Sequence, residues 1–468
     1  MRVVFVHGWS VTSTDTYGGL PEALVKNAPA NLDIQITHLY LAKYISFADE
    51  VTVDDIARGM EKAVDTDVRP QLAKGERFAC ITHSTGGPVA RKWIDLFYRK
   101  KIAKCPCSHL IMLAPANHGS ALAQLGKGRL AQMKFFAQGV EPGIGVLNWL
   151  ELGSTQNWEL NSDWLLYDCV PDGLYPFVLT GQRIDRHMYD NLNSYTGEAG
   201  SDGVVRVAAA NMNYGLLRLV QQNGDFKLLK DERTPKFGLG VLPGRSHSGT
   251  DIGILRSVAA NDDGTHPTVE WTLKCLGVSS IASYNRLVDD LDKLTAKTQE
   301  NERVETVKEL LIFERKFYTD RYCMFVFKIS DDRGNHLLDY DILFTAGPDY
   351  NPNHLPEGFF VDRQRNQLDR GKLTYYINYD KMEQGLNSPE LQGKFGFQIK
   401  ARPDAGYAYY TTAEHKGTFA GLKKYFAPNQ TVMIDIQLTR QVREGVFRFT
   451  TNLENEDFRG QPPGNIIT

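Results

Sequence analysis

The sequence predicts an α/β fold, a mostly parallel sheet with helices on both faces, carrying a lid or cap insertion and an appended C-terminal antiparallel β-sandwich. Three observations predict it. In the first half, short β-branched and aromatic runs alternate with segments whose apolar residues recur at helical spacing, the pattern of βαβ units. After about residue 304 the runs become short, alternate in polarity and are separated by Asp, Asn, Gly and Pro clusters, as in an antiparallel sandwich. The chain has 468 residues, 42% hydrophobic and 23% charged, which is globular and too long for one ordinary core.

The first strand spans Arg2 to Val6 and ends at His7-Gly8-Trp9-Ser10, a ligand-facing turn. A loop rich in Ser, Thr, Asp and Gly leads to a short helix near Pro21 to Lys26, and Ile34 to Leu41 alternates like a strand. Thr52-Val53-Asp54-Asp55 resembles a capping box with Asp in place of Glu, ahead of Ile56, Met60, Ala63 and Val64 at helical spacing. Arg77 to Ile81, Ser108 to Leu113, Pro176 to Leu179 and Phe237 to Leu242 are the later strands, joined by right-handed crossovers. Leu216 to Gln222, Asn223-Gly224 and Asp225 to Leu229 form a hairpin with a type I′ turn. The segment from 252 to 297 is helical, and the polar run 298–303 is a linker.

The domains expected are therefore 1–297, the linker 298–303, and the sandwich 304–468, with strands at 323–329, 337–344, 373–378, 395–399, 431–438 and 446–450. Between the strands ending at 113 and beginning at 176 lies the insertion 120–172, which holds three of the six tryptophans. It reads either as a lid or acyl-binding cap over the site, or as a helical subdomain burying its own core.

Composition narrows the function classes. Net charge is −3 with Lys and Arg dispersed, so nothing electrostatic points to nucleic acid. Six cysteines at 80, 105, 107, 169, 275 and 323 are too sparse for a disulfide scaffold and lack zinc-site pairing, so Cys105-Pro-Cys107 reads as two reduced thiols. The opening apolar run is too short for a secretory signal, and no stretch reaches the ~18 apolar residues of a membrane span. These features predict a cytoplasmic protein, or one exported without a cleaved signal peptide. No metal and no cofactor are expected.

The chemistry concentrates at Phe78 to Arg91, where a buried strand runs into Thr82-His83-Ser84-Thr85-Gly86-Gly87 and then a helix bearing Val89, Trp93, Leu96 and Phe97. A strand turning directly into a helix holds its central residue at strained φ/ψ, which is why the pattern G-x-S-x-G surrounds such a serine with small residues. Here Thr82 replaces the first glycine. The bland alternative is a serine capping an ordinary helix. A reactive serine needs a base and an orienting acid, each on a loop after a later strand, in the order Ser, acid, His. Asp202 stands in the turn Gly200-Ser201-Asp202-Gly203, and His247 in Pro243-Gly244-Arg245-Ser246-His247-Ser248-Gly249. Asp185 follows the 176–179 strand more closely and competes with Asp202 for the acid, while loop position favours Asp202. His83 points sideways from the elbow. The backbone N–H groups of Thr85 and of Trp9, the latter over Ser10, are the expected oxyanion donors.

These residues resemble a known family. Val6-His7-Gly8, Thr82-His83-Ser84-Thr85-Gly86-Gly87, Ala114-Pro115-Ala116-Asn117-His118-Gly119-Ser120, Asp202-Gly203-Val204-Val205 and Ser246-His247-Ser248-Gly249 look like the signature turns of bacterial α/β-hydrolase lipases and phospholipases. The likeness covers about residues 1–260. It implies an α/β-hydrolase with serine esterase activity on acyl lipids through Ser84, Asp202 and His247, with Trp9 and Thr85 as oxyanion donors. The expected partner is a lipid or ester substrate, with peripheral membrane contact through the lid or the sandwich. A lipase toxin effector exported by a contact-dependent machine shares this resemblance. A short-chain carboxylesterase or thioesterase, and a non-catalytic binding protein on a hydrolase scaffold, are the rival readings.

Overall fold

The computed structural model describes residues 1–6, 14–39, 48–125, 143–166, 168–185, 198–309 and 313–444. The apolar runs of the first half become parallel strands because both faces of each are covered by helices. In chain order these are β1 (Arg2–Val6), β2 (Gln35–Leu39), β3 (Phe78–His83), β4 (Cys107–Leu113) and β5 (Tyr175–Thr180), joined at the edge by β8 (Gly238–Val241). They line up as β2-β1-β3-β4-β5-β8, every neighbouring pair parallel, so β3 lies near the middle with its carboxyl end between those of β1 and β4. The helices α1 (Leu20–Asn27), α2 (Val53–Ala63) and α3 (Gly86–Tyr98) connect the first strands. The expected capping box opens α2: the Asp55 N–H donates to Thr52 Oγ1 at 3.3 Å and the Thr52 N–H donates to Asp55 Oδ2 at 3.0 Å.

Among the described residues the insertion contributes a single helical turn, Leu122–Leu125, and two longer helices, α4 (Ile144–Leu150) and α5 (Thr155–Trp164). Their Trp149 and Trp164 are buried, and the Trp164 indole N–H donates to the Arg91 carbonyl on α3 at 3.4 Å. This part of the insertion is built into the main core. Residues 126–142 of the insertion lie outside the described residues.

Strands β6 (Gly215–Gln222) and β7 (Asp225–Arg233) form the expected hairpin, and Asn223 (φ 53°) with Gly224 (φ 82°) supply the two left-handed turn residues. The hairpin does not extend the first sheet. It reaches into the second half of the chain, where β6 pairs in parallel with a strand more than 200 residues later. After β8 come α6 (Pro267–Leu276) and α7 (Ile281–Asn301). Tyr284, Leu287, Val288 and Leu291 bury one stripe of α7 against β8. The polar run 298–303 is therefore helical through Asn301 instead of forming a linker: Thr298 is buried, and the cap bonds of Glu302 close the helix.

The second half comprises β9 (Val304–Glu309), β10 (Phe313–Tyr318), β11 (Tyr322–Asp331), β12 (Tyr340–Ala346), β13 (Phe360–Arg365), β14 (Lys372–Asn378), α8 (Tyr379–Leu386), β15 (Lys394–Ala401), β16 (Ala408–Tyr410), β17 (Ala413–Thr418), β18 (Thr431–Leu438) and β19 (Arg440–Val442). A larger sheet, β13-β14-β11-β18-β6-β7, faces a smaller antiparallel one, β12-β15-β17. Pairings in the larger sheet are antiparallel except where β18 lies parallel to β11 and to β6. The strand expected at 446–450 lies outside the described residues. Among the described residues no helix is long and apolar enough to cross a membrane.

Alternation along β11 explains how the halves join. Cys323, Phe325, Phe327 and Ile329 point between the two sheets, into an aromatic core with Phe344 and Phe395 stacked at 5.9 Å. Tyr322, Met324 and Val326 point the other way, into the core of the α/β domain. The central strands β14, β11 and β18 of the larger sheet are thus buried on both faces, and β6 anchors the sheet to the first half. A fragment 1–303 would strand β6 without β18 and bare the face that these residues cover. It is expected to bind a hydrophobic dye and to melt without a cooperative transition, as followed by fluorescence and near-UV circular dichroism; a soluble, cooperatively melting fragment would contradict the shared core.

Candidate active site

Ser84 is the first of the two residues between strand and helix and holds a left-handed conformation, φ 53°, rare for a side chain with a Cβ. Two contacts hold it there. Its N–H donates to the Leu113 carbonyl at the end of β4, 3.0 Å away, and its own carbonyl accepts from the Gly87 N–H at 3.2 Å. Gly87 has no alternative: a Cβ there would sit 2.6 Å from the Pro115 side chain, so α3 starts close under the turn only because that position is bare. Thr82 needs no such freedom. It is a regular strand residue paired with Val6 and Met112, and the strained angle falls on Ser84 alone within this turn.

Asp202 and His247 arrive from two neighbouring loops. Asp202 is completely buried, and its Oδ1 accepts the N–H groups of Val204 (3.0 Å) and Val205 (2.8 Å). Its Oδ2 stands 2.9 Å from His247 Nδ1, and its backbone carbonyl accepts the His247 N–H at 2.9 Å, so one residue holds both the ring and the chain of the histidine. A carboxylate at Nδ1 makes that nitrogen the donor and leaves Nε2 an acceptor. His247 Nε2 lies 3.1 Å from Ser84 Oγ. The structure therefore brings Ser84, His247 and Asp202 into one hydrogen-bonded line. Thr85, buried, is the N-cap of α3, where backbone N–H groups have no partner within the helix. Trp9 lies outside the described residues. Asp185 packs its carboxylate against Gly249, beside the histidine loop, where a Cβ would approach within 2.2 Å.

The surroundings of two residues near this line escaped sequence reasoning. His83 turns away from the serine, sets Nε2 3.2 Å from the His247 carbonyl and packs its ring 4.8 Å from the His247 ring. Burial, with the neighbouring His247, pushes His83 down to about 3, so it stays neutral beneath the base. Strand alternation gave its direction but not its partner. Arg206 lies four residues beyond Asp202 and is almost fully buried, with Glu198 chelating its guanidinium at 2.8 Å from both oxygens. An arginine after a Gly-flanked turn carries no signal of burial in the sequence.

The Asn117-His118 turn supports the site from below. The Asn117 carbonyl accepts the amides of Asn157 and Asn161, each at 3.0 Å, and its own amide donates to the Ala210 carbonyl at 2.8 Å. Ser120 Oγ donates to the Val204 carbonyl at 2.6 Å, tying this turn to the acid loop. Burial, with Arg91 nearby, holds His118 well below the ordinary histidine value, and burial pushes His109 down to about 4. Among the described residues no cluster of His, Cys, Asp or Glu is arranged to hold a metal ion, and all six cysteines are free and buried.

Over its whole length the chain is similar to two solved structures of phospholipase PlaB from Legionella pneumophila. One, in complex with thio-NAD, is 54% identical with a TM-score of 0.91, and the match covers 100% of each chain. The other is 55% identical with a TM-score of 0.91, again over 100% of each chain. Family models and curated proteins give no match.

The buried histidines His83, His109 and His118 set a pH dependence whose sign follows from their depressed values. Unfolded, each takes up a proton near its ordinary value of about 6.5; folded, His109 and His83 do so only at about 4 and about 3. Their contribution is fully present above pH ~6.5 and is lost as pH falls toward the folded values. The urea midpoint is expected to drop between pH 7.5 and pH 5, with proton uptake on unfolding; equal midpoints at the two pH values would contradict neutral burial.

Proposed function

The chain belongs to the bacterial α/β-hydrolase lipase and phospholipase family that includes phospholipase PlaB, and from that membership we propose that it cleaves acyl esters of phospholipids with Ser84 as nucleophile, His247 as base and Asp202 as orienting acid. It is a carboxylic ester hydrolase of the lipase and phospholipase type. The observation that carries the residue assignment is the hydrogen-bonded line from Ser84 through His247 to buried Asp202.

Ser84 Oγ attacks the ester carbonyl carbon as its proton passes to His247 Nε2, and Asp202 stabilises the imidazolium that forms. The oxyanion of the tetrahedral intermediate is met by the Thr85 N–H, with Trp9 N–H as the second donor, and by the amino end of α3. Collapse expels the alcohol, which takes the proton back from His247. Water, deprotonated by His247, then attacks the acyl-Ser84 ester and releases the carboxylic acid. The substrate lies in a bilayer, so the enzyme meets it at a membrane surface, through the 120–172 insertion or the sandwich.

Ser84→Ala is expected to abolish release of fatty acid from phospholipid vesicles while leaving the melting temperature unchanged. Asp202→Asn should lower kcat by about four orders of magnitude, whereas Asp185→Asn should leave it within about twofold. Kinetics on the three purified variants check this, and the reverse ranking of the two acids would reassign the role to Asp185. Rates on p-nitrophenyl esters are expected to rise with acyl length; rates that decline beyond short chains would favour a small-substrate esterase.

A further inference from the structure

The loop that carries Asp202 rests on the second half of the chain as well as on its own domain. It runs from Glu198 to Arg206 and is closed by a Ser201–Arg206 bridge and by the Val207 N–H donating to the Gly200 carbonyl at 2.9 Å. Its underside lies on the larger sheet of the second half. Gly200 (φ +75°) is pressed so closely that a Cβ would meet the Tyr322 ring at 2.2 Å and the Tyr376 hydroxyl at 2.4 Å. The Tyr376 hydroxyl lies 3.1 Å from the carbonyls of both Ala199 and Gly200, and its ring stacks on Tyr322 at 5.0 Å.

At the centre of this contact is Arg206. Its guanidinium is gripped by both Glu198 oxygens from the loop side, forms an ion pair with Asp362 of β13 from the sheet side, and lies 4.1 Å from the centre of the Tyr376 ring. Its side chain is 2% exposed, Glu198 8% and Asp362 9%, so the pairs are shielded from water. Burial opposes the charge, but Glu198 and Asp362 together hold the guanidinium above its ordinary value, protonated. Arg206 is therefore a rivet between the acid loop and a strand that lies more than 150 residues further along the chain. What this loop presents to the histidine ring is the Asp202 carboxylate, 2.9 Å from His247 Nδ1, so its placement sets that contact.

We propose that Arg206, clamped between Glu198 and Asp362 and seated on Tyr376, is a positioning residue that sets Asp202 against His247, making the second half of the chain part of the catalytic apparatus. The proposal rests on the assignment of Ser84, His247 and Asp202 given above. Asp362→Asn removes one charge from the clamp at constant shape, and Tyr376→Phe removes only the hydroxyl that holds the loop carbonyls. Neither touches the reacting atoms.

The test uses the full chain and a monodisperse p-nitrophenyl ester, with active sites counted by fluorophosphonate titration so that unfolded molecules drop out. Asp362→Asn and Tyr376→Phe should each lower kcat per titrated site about ten- to hundredfold, with KM within about twofold, because misplacing a catalytic group by a fraction of an ångström costs rate more than binding. In an Asp202→Asn background the same substitutions should cost less than about twofold, since the group they position is already lost. Full kcat per titrated site, or the same fold-loss in both backgrounds, would overturn the proposal. If Asp362→Asn fails to fold, Tyr376→Phe carries both arms. The Ser84 assignment fails separately, by activity surviving in Ser84→Ala.

Discussion

The molecule depends on a β-sheet whose central strands are buried on both faces. Strand β11 sends Phe325 and Phe327 toward one core and Met324 and Val326 toward the other, and β14 and β18 alternate in the same way. A large apolar side chain withdrawn from water contributes about 1.5–3 kcal/mol, so a sheet with two covered faces gains this on both sides. It also has to be complementary to two partners at once. The hairpin β6–β7 meets that requirement covalently, because it leaves the first half, supplies two strands to the sheet and returns to complete β8. The halves are thus interlocked, and the loop bearing Asp202 lies shortly before that hairpin, separated from it by the helical turn Val207–Ala210 and residues 211–214.

Burying charge next to such a sheet is costly unless every charge has partners. The acid loop meets this condition twice. Asp202 is compensated by two backbone N–H groups and the His247 ring, while Glu198 and Asp362 share the Arg206 guanidinium. His83 is accommodated differently, as a neutral ring under the base. The strained serine, the buried acid and the neutral histidine are each a local expense met by the rigid sheet edges around them. This division of labour, a stiff scaffold and a few unfavourable groups, is what leaves Ser84 partly exposed while Asp202 and His247 are buried.

Much of the site was legible because its chemistry constrains the chain locally. The run Phe78 to His83, the small residues after Ser84 and the helical spacing beyond them indicate a strand, a turn and a helix, and the order of Asp202 and His247 follows from where parallel strands release their loops. The Thr52–Asp55 box and the Asn223-Gly224 turn were readable for the same reason: caps and tight turns are short-range. What could not be read is long-range. Period-two alternation marks β6 and β7 as strands without saying which sheet they join. Polar residues from 298 to 301 look like a linker until the buried face of α7 is counted with them. The environment of Arg206 depends on Asp362 and Tyr376, and no local pattern links three positions so far apart. Thr82, which breaks the small-residue motif, proves harmless because the left-handed angle is borne by Ser84.

The central claim is that Ser84 is the one activated nucleophile of this chain. The most direct measurement is intact-mass and peptide-level mass spectrometry after brief exposure of the native protein to a long-chain fluorophosphonate. The account predicts a single adduct, on the peptide containing Ser84, that disappears when the protein is unfolded beforehand. A native protein that remains unmodified, or that carries its adduct on another residue, would contradict it.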